Sequence, residues 1–352
     1  MSGSPEVSVV IPTRNRWQLL SRHGLPSALG QRGVELEVIV VDDGSTDETP
    51  VRLAALDDAR VRVIRIDPAN RPARSRNTAQ ARNRGIEAAR GEWIAFLDDD
   101  DLWSPAKLRA QIDVGKRESA SFVYSGAIAI DEKMNVLEAQ SLPDPGRLAS
   151  LLLHGNFVPG GGSNAIAKAE LIERAGHFDE TLVFVEDWDL WIRLTRLGHV
   201  AACQELHVAR FEHGQGALFR ERPDVVEDVA RLLRKYVQVG DERKLATSEW
   251  LASEHYKAGK RRSAAALYFR AAVRFRSPGN LPPAVGALLG DRGMRVARRL
   301  LLTLRGTAHF GEPRPPAPPA PAWLDLYRSS ESRRSSSGPT TPPSSSASQR
   351  ER

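Results

Sequence analysis

The sequence of 352 residues has a single cysteine, few aromatic residues and no long apolar run. Cys203 cannot form an intramolecular disulfide or a cysteine metal cluster, which excludes a disulfide scaffold and a zinc finger. No stretch approaches the roughly 18 uncharged apolar residues that a membrane-spanning helix needs, and residues 1–18 contain no apolar segment of signal-peptide length. These absences predict a cytoplasmic protein, with peripheral contact to the inner membrane face left open.

The net charge of +6 is unevenly distributed along the chain. Residues 225–310 contain 17 Lys and Arg against 7 Asp and Glu, and residues 311–352 contain 6 against 4, so residues 1–224 carry a net charge of −6. An acidic segment that binds phosphates needs a divalent cation as intermediary, whereas a basic segment suits an anionic surface. We therefore predict no nucleic-acid partner. Membrane-surface contact through basic helices in residues 225–305 is the alternative to an ordinary solvated surface.

Short apolar runs alternate with helical patterns in the first 115 residues. The runs are typical of buried parallel strands, and they are Val7–Ile11, Glu37–Asp42, Val61–Ile66 and Trp93–Leu97. The helical patterns are Trp17–Leu29, Asp47–Leu56 and Ser75–Ala89. Right-handed crossovers place the carboxyl ends of such strands along one edge, where open α/β sheets bind ligands. The sequence predicts an α/β fold with an open, mostly parallel sheet and flanking helices.

Polar loops follow three of these four strands. They are residues 12–16 (Pro-Thr-Arg-Asn-Arg), residues 42–47 (Asp-Asp-Gly-Ser-Thr-Asp) and Asp98–Asp101. The second loop, taken alone, is equally well explained as a turn with a helix cap. Four aspartates at the end of a buried strand repel one another, which indicates a positive partner. Mg²⁺ or Mn²⁺, bound by one or two carboxylates and by substrate phosphates, fits this requirement.

Five motifs together resemble glycosyltransferase family 2, the inverting nucleotide-sugar transferases of the GT-A fold. They are residues 12–16, 40–47, 81–85, 96–101 and 186–189, and the resemblance covers roughly residues 6–215. It implies a metal-dependent, inverting hexosyltransferase that moves a sugar from a nucleoside diphosphate donor, typically a UDP-sugar, to a hydroxyl acceptor. Synthesis of a cell-surface polysaccharide or glycoconjugate is the implied context. The donor sugar and the acceptor are left open.

The same resemblance implies roles for single residues. The implied donor-nucleotide residues are Thr13, Arg14, Asp42, Asp43, Arg82, Asp98 and Asp99. Asp100 is the implied direct metal ligand and carries the DxD motif with Asp98, and His213 is a third candidate ligand, with His207 as a weaker alternative. Arg76 and Asn77 share the predicted helix of Arg82, and an exposed helix face is the alternative explanation for these arginines.

A pair of carboxylates opens a later predicted helix. Inverting transfer is one in-line displacement in which the acceptor hydroxyl loses its proton, and a positioned carboxylate can accept that proton. Asp187 is the first candidate for this general base and Glu186 the second, although acidic residues at a helix start are also explained by the helix dipole. Asp189 is expected to anchor the helix or to bind an acceptor hydroxyl. Trp188 is expected to face a sugar ring or to lie in the core.

The chain divides into three predicted parts. Residues 1–222 are the catalytic domain and residues 223–310 a basic helical appendage. Residues 311–352 are a Pro- and Ser-rich tail that is expected to be disordered, because it is too poor in apolar residues to form a core. Two other functions stay open. A catalytically inactive nucleotide-sugar-binding module would keep the same loops. A nucleotidyltransferase is disfavoured because residues 13–16 contain neither the glycine nor the lysine of its first loop.

Overall fold

The computed structural model describes residues 4–67, 78–140, 142–153, 155–212, 223–236, 248–253, 255–256, 260–305 and 318–328. Within these residues, nine strands form one sheet in the order β3-β2-β1-β4-β8-β6-β9-β5, with β7 paired to β6. The strands are β1 (Val7–Thr13), β2 (Leu36–Asp42), β3 (Val61–Arg65), β4 (Trp93–Phe96), β5 (Leu102–Trp103), β6 (Phe122–Ile130), β7 (Val136–Ala139), β8 (Ile166–Lys168) and β9 (Val200–Phe211).

Helices cover both faces of this sheet. They are α1 (Trp17–Arg22), α2 (Gly24–Leu29), α3 (Thr49–Ala54), α4 (Thr78–Ala88), α5 (Lys107–Arg117), α6 (Pro145–Leu151), α7 (Ala169–Ala175), α8 (Glu186–Leu197), α9 (Pro223–Tyr236), α10 (Arg261–Arg274) and α11 (Leu281–Arg305). The helix predicted over residues 17–29 is split into α1 and α2, because the backbone of His23 is non-helical. Among the described helices, none has the length and apolar character needed to cross a bilayer.

The first half of the sheet matches the prediction from the sequence. Strands β1, β2, β3 and β4 are parallel neighbours, so their carboxyl ends lie along one edge. Successive residues of a strand point to opposite faces, and Val9 and Val10 accordingly contribute to two different cores. Burial on both faces explains why β1, β2 and β4 are continuous apolar runs. The predicted burial is wrong for β3, because it lies at the edge of the sheet and Val63 is exposed.

The second half of the sheet brings distant residues back to the same edge. β8 is antiparallel to β4 and to β6, and β9 runs parallel to β6 and antiparallel to β5. The sequence did not predict β5 or β9. At the end of β9 the backbone N–H of Phe211 donates to Asp101 Oδ1 over 3.1 Å. The C-terminal end of β9 therefore lies beside the aspartate run.

Two segments beyond residue 222 pack on the sheet domain. α9 contributes Val229, Leu232 and Leu233 to one of the two cores, so it packs with the residues before the predicted boundary at 222. Residues 318–328 lie inside the predicted tail but are ordered: Leu324 is buried, and Trp323 Nε1 donates to the Leu206 carbonyl over 2.8 Å. Apolar and aromatic side chains in this short stretch, Trp323, Leu324 and Tyr327, pack against the sheet domain.

A buried carboxylate organises the opposite, amino-terminal edge of the sheet. Glu37 accepts hydrogen bonds from Ser8 Oγ at 2.7 Å, from Arg62 at 2.9 Å and from Arg90 at 2.7 Å. Burial alone would raise the pKa of Glu37, but these donors, Arg90 first, lower it to about 2. Charge-assisted hydrogen bonds thus stabilise this edge, and they depend on the ionised form of the Glu37 carboxylate.

We expect Glu37→Gln to lower the free energy of unfolding by about 1–3 kcal/mol at neutral pH, because buried donors lose a charged acceptor. A lowered folded-state pKa stabilises the fold above the usual pKa of the carboxyl, and that stabilisation is lost as the pH falls toward about 2. The variant should therefore lose less stability than the parent between pH 4.5 and 2 in urea titrations. The exposed Glu87→Gln is the control, and an equal acid response of parent and Glu37→Gln would contradict the assignment.

Candidate active site

Loops after β1, β2 and β4 meet at one edge of the sheet. Thr13 and Asp42 are neighbours in the β1–β2 register, and the N–H of Asp43 donates to the Thr13 carbonyl over 2.8 Å. The hydroxyl of Thr13 donates to Asp99 Oδ2 over 2.8 Å, which joins the first loop to the third. The structure thus brings together the polar loops that the sequence singled out.

Asn15 holds the first two loops against each other. Its backbone has a positive φ of 53°, and its side-chain Oδ1 accepts the N–H of Thr46 over 2.7 Å, while its own N–H donates to Ser45 Oγ over 2.8 Å. Asp42 is fully buried and caps the turn by accepting the N–H of Ser45 over 2.8 Å. Asp42 therefore shapes this loop from below. Arg14 lies between Thr13 and Asn15 and is partly buried.

The four aspartates divide into an inner and an outer pair. Asp99 and Asp101 are buried, whereas the side chains of Asp98 and Asp100 are 38% and 14% exposed. The run forms a turn after β4, in which the N–H of Asp101 donates to the Asp98 carbonyl over 3.2 Å. Asp98 and Asp100 thus keep access to solvent beside the three converging loops, a place that we call the crevice, whereas Asp99 and Asp101 are buried in the protein.

Arginines neutralise part of this charge. Arg16 lies 2.9 Å from Asp99 Oδ1 and 2.5 Å from Asp100 Oδ2, so the first loop grips the aspartate run with a guanidinium as well as with Thr13. Burial raises the pKa of Asp99 to about 7. The positive charge of Arg16 opposes this shift, and the negative charge of Asp100 adds to it. Complete burial, followed by the charges of Asp100 and Asp98, raises the pKa of Asp101 well above its usual value.

Arg82 connects the aspartate run to the start of α8. It is buried, and its two terminal nitrogens lie 2.6 Å from Asp98 Oδ1 and 2.8 Å from Glu186 Oε1. Its guanidinium carbon also lies 5.4 Å from the ring centre of Phe178. The side chain of the neighbouring Asn83 donates from Nδ2 to the Phe178 carbonyl over 3.0 Å, and its Oδ1 accepts the Phe178 N–H over 2.9 Å. Arg82 is therefore an internal bridge between two acidic segments rather than part of an exposed helix face.

The candidate bases Glu186 and Asp187 occupy different environments. Glu186 is buried against Arg82, and burial raises its pKa to about 8. Asp187 is partly exposed, accepts Asn156 Nδ2 over 3.0 Å, and accepts the N–H of Trp188 over 2.6 Å. Burial raises the pKa of Asp187. The charge of Arg82 opposes this shift, and the charge of Asp98 adds to it. Of the two, Asp187 is the carboxylate that a substrate can reach.

Other residues of the helix-opening motif are structural. Trp188 is buried and its Nε1 donates to the Leu152 carbonyl over 2.6 Å, and Trp191 is fully buried. Asp189 is buried with Oδ2 on Arg193 and Oδ1 on the Tyr236 hydroxyl over 2.7 Å. Asp189 thus anchors α9 to α8, which agrees with the first of its two predicted roles, the anchoring of the helix. Trp188 lies in the core.

A glycine-rich turn lies between the aspartates and Asp187. Ser163 is fully buried, donates to Asp101 Oδ2 over 2.5 Å and accepts the N–H of Asp98 over 3.0 Å. Gly160 and Gly161 have positive φ values of 70° and 55°. A Cβ on Gly162 would lie 2.5 Å from an Arg82 nitrogen. The turn therefore serves as a close-packed wall of the site.

The two histidine candidates are not equivalent. His213 lies outside the described residues, so its proposed ligation stays a prediction, as do the suggestions for Arg76 and Asn77. His207 lies on β9, buried, with Nδ1 3.1 Å from Ser104 Oγ. Burial, followed by the charge of Lys107, lowers the pKa of His207 to about 4. His207 is a core residue.

The acidic side chains suit a divalent cation in chemistry but do not enclose one. Asp98 and Asp100 offer carboxylate oxygens at the crevice. Four neighbouring carboxyls have pKa values raised first by burial and then by the negative charge of nearby aspartates. Among the described residues, no three His, Cys, Asp or Glu side chains converge on one point. A site with one or two protein carboxylates that relies on substrate phosphates has this form.

Sequence reasoning missed three residues that organise the site. Arg16 belongs to the first polar loop but was given no role there, and neither Ser163 nor Asn156 was singled out from the sequence. A signal existed only for Arg16, since a basic residue near four aspartates is an expected partner. Ser163 is 62 residues from its hydrogen-bond partner Asp101, and Asn156 is 31 residues from its partner Asp187. Only folding brings these pairs together, so the sequence alone does not reveal their roles.

Known proteins resemble this chain in sequence and in structure. The family model described as "Glycosyl transferase family 2" matches residues 8–176. Succinoglycan biosynthesis protein ExoO of Rhizobium meliloti is 39% identical over 200 residues, which make up 53% of this chain and 54% of that protein. The chain thus spans about half the length of this curated relative.

Two solved structures share the architecture. S. aureus TarS in complex with UDP-GlcNAc has a TM-score of 0.54 at 16% identity, over 94% of this chain and 92% of that chain. The mannosyltransferase PcManGT of Pyrobaculum calidifontis, in complex with GDP-Man and Mn²⁺, has a TM-score of 0.51 at 20% identity, over 87% and 89%. At these identities the likeness concerns the fold alone, and it confirms the predicted GT-A-type sheet. The family match and the fold agree, and residues 8–176 of the chain form a region of glycosyltransferase family 2.

Proposed function

We propose that this protein is a metal-dependent inverting glycosyltransferase that moves a sugar from a nucleoside diphosphate donor, a UDP-sugar first of all, to a hydroxyl acceptor. The observation that carries the proposal is the Arg82 bridge, which joins the crevice-facing Asp98 to the helix start that presents Asp187. A donor-side acidic group and a solvent-accessible base thus share one rigid support. An inactive binding module would not need the second of these groups.

The donor side of the crevice is assigned to the three converging loops. Thr13, Arg14, Asp42 and Asp43 would form the nucleoside pocket, with Asp42 shaping the loop from its buried position. Asp98 and Asp100 would hold a Mg²⁺ or Mn²⁺ ion together with diphosphate oxygens, and Asp99 would support them through Thr13 and Arg16. When bound, such an ion stabilises the charge that develops on the leaving diphosphate.

The acceptor side is assigned to Asp187. In an inverting transfer the acceptor oxygen forms a bond to the anomeric carbon while the bond from that carbon to the diphosphate oxygen breaks, and the hydroxyl proton passes to the base. Asn156 and the N–H of Trp188 orient the Asp187 carboxylate for this step. Glu186 is committed to Arg82, which favours Asp187 as the base.

The biological context is part of the proposal. The relative ExoO is described as a succinoglycan biosynthesis protein, which supports a role in cell-surface polysaccharide synthesis. A cytoplasmic location is supported by the single cysteine, Cys203, a buried free thiol on β9. The polysaccharide context and the cytoplasmic location are proposals for the whole protein, whereas the relative matches only part of the chain.

A thermal-shift screen of nucleotide sugars tests the proposal. We expect one UDP-sugar, with Mn²⁺ present, to raise the melting temperature by about 5 °C at a hundredfold excess over Kd, because ligands that bind only the folded state stabilise it. EDTA should remove most of the shift. A hit is then tested for release of nucleoside diphosphate with candidate acceptors. No response to any nucleotide sugar would refute the donor class, and an EDTA-resistant shift would refute the metal dependence.

A further inference from the structure

The C-terminal hairpin, defined here as α10 and α11, has a charge and a surface unlike those of the sheet domain. Ala264, Tyr268, Ala284, Ala287 and Met294 form its small interior. Residues 260–305 contain eleven Lys and Arg and one acidic residue, Asp291. The carboxylate of Asp291 accepts the Tyr256 hydroxyl over 2.6 Å. The hairpin therefore presents a strongly positive surface.

α11 contains a sharp bend close to its middle. Gly290 has φ 74° and ψ −159°, a conformation that residues with a side chain rarely adopt. On either side of the bend Gly286 and Gly293 pack together, since a Cβ added to Gly286 would lie 2.9 Å from the Gly293 carbonyl oxygen. The two halves of α11 are thus in backbone contact, and Leu288 and Leu289 lie directly before the turn.

Large apolar side chains are concentrated on the outside of this hairpin. Most of the strongly exposed ones in the described chain belong to it: Phe269, Val273, Leu281, Val285, Leu288, Leu289, Val296 and Leu300. Leu281, Val285, Leu288 and Leu289, which we call the apolar ridge, follow the spacing of one helix face. Leu288 and Leu289 are 58% and 69% exposed. Arg292 and Arg295 are exposed just beyond the bend.

We propose that the C-terminal hairpin binds the surface of an anionic lipid bilayer. The apolar ridge would enter the boundary between headgroups and acyl chains, and Arg292 and Arg295 would lie at the lipid phosphates, the arrangement of an interfacial amphipathic helix. A second copy of the chain is disfavoured as the occupant because two strongly basic surfaces repel. Nucleic acid offers no partner for exposed leucines. This inference does not depend on sugar transfer.

Vesicle co-sedimentation of the full chain tests the inference. We expect binding to vesicles with 30 mol% phosphatidylglycerol and at least about tenfold weaker binding to pure phosphatidylcholine, because each arginine near an anionic surface contributes about a fivefold gain. The double variant Leu288→Ser/Leu289→Ser should weaken binding at least about tenfold. Val51→Ser removes an apolar side chain that is 74% exposed on α3 and should bind like the parent.

Each other outcome overturns the inference. Equal binding of the double variant and the parent would show that the ridge does not insert. Absence of binding to the anionic vesicles would refute the lipid surface itself. If light scattering showed that the parent is a dimer and the double variant a monomer, and neither bound vesicles, the ridge would be a contact between two copies of the chain. Far-UV circular dichroism melts of all variants exclude unfolding as the cause, and donor binding in the thermal-shift assay reports separately on the catalytic site.

Discussion

Asp187→Asn is expected to lower kcat for sugar transfer by about 10³-fold while the Kd for the donor stays unchanged, because an amide cannot accept the acceptor proton. Asparagine keeps the shape of the side chain and can still accept the N–H of Trp188, so the start of α8 should stay intact. Single-turnover assays with saturating donor and acceptor measure the chemical step, and calorimetry measures donor binding. More than a tenth of the parental kcat in this variant would remove Asp187 from the reaction.

Glu186→Gln is the matched comparison for this experiment. Its amide oxygen can still accept the Arg82 guanidinium, so the bridge to Asp98 survives and most of kcat should remain. If Glu186→Gln were the more damaging change, the base would be Glu186.

The pH profile follows from the same assignment. Burial raises the pKa of Asp187, and a base acts only when deprotonated, so the parental kcat should rise with pH through that pKa and then level. The residual activity of Asp187→Asn should lack this limb. An identical limb in both proteins would show that another group controls it.

Asp100→Ala is expected to abolish metal-dependent donor binding. Asp100 is the more enclosed of the two crevice-facing aspartates, and its loss leaves Asp98, held by Arg82, as the remaining outer carboxylate. Titration of UDP with Mn²⁺ into the parent should give a Kd at least about a hundredfold below that without metal, and the variant should give the weak value in both cases.

Two controls make the Asp100 experiment specific. Asp113→Ala removes an exposed carboxylate on α5 that pairs with Arg109 and should bind UDP like the parent. Asp100→Asn keeps a hydrogen-bond acceptor for Arg16, so it separates the loss of a metal ligand from the loss of that ion pair. If UDP bound equally with and without Mn²⁺ in the parent, the role of a cation at Asp98 and Asp100 would be refuted.

The Arg82 bridge suggests that the donor and acceptor sides are set by one internal support. Because Arg82 is buried and touches Asp98 and Glu186 at the same time, a change at either carboxylate alters the partner's environment. Gly162 has no room for a side chain next to this guanidinium. The centre of the site is therefore closely packed, and its partly exposed carboxylates are those of Asp98, Asp100 and Asp187.

The sequence by itself determined the first four strands, the polar loops that follow three of them and the sign of the charge in each part of the chain. Apolar runs that are buried on both faces must be strands of a layered sheet, and parallel neighbours must end at one edge, so the meeting of residues 12–16, 42–47 and Asp98–Asp101 followed from local pattern and handedness alone. The uneven charge of the two halves was likewise visible before folding.

Only the tertiary structure decided which acidic groups face the crevice. Four identical aspartates differ only through contacts made by distant residues: Thr13 and Arg16 draw Asp99 inward, and Ser163 draws in Asp101. The same holds for Glu186, which Arg82 removes from solvent. Burial and ion pairing depend on contacts between residues far apart in the chain, and no local period in the sequence encodes them.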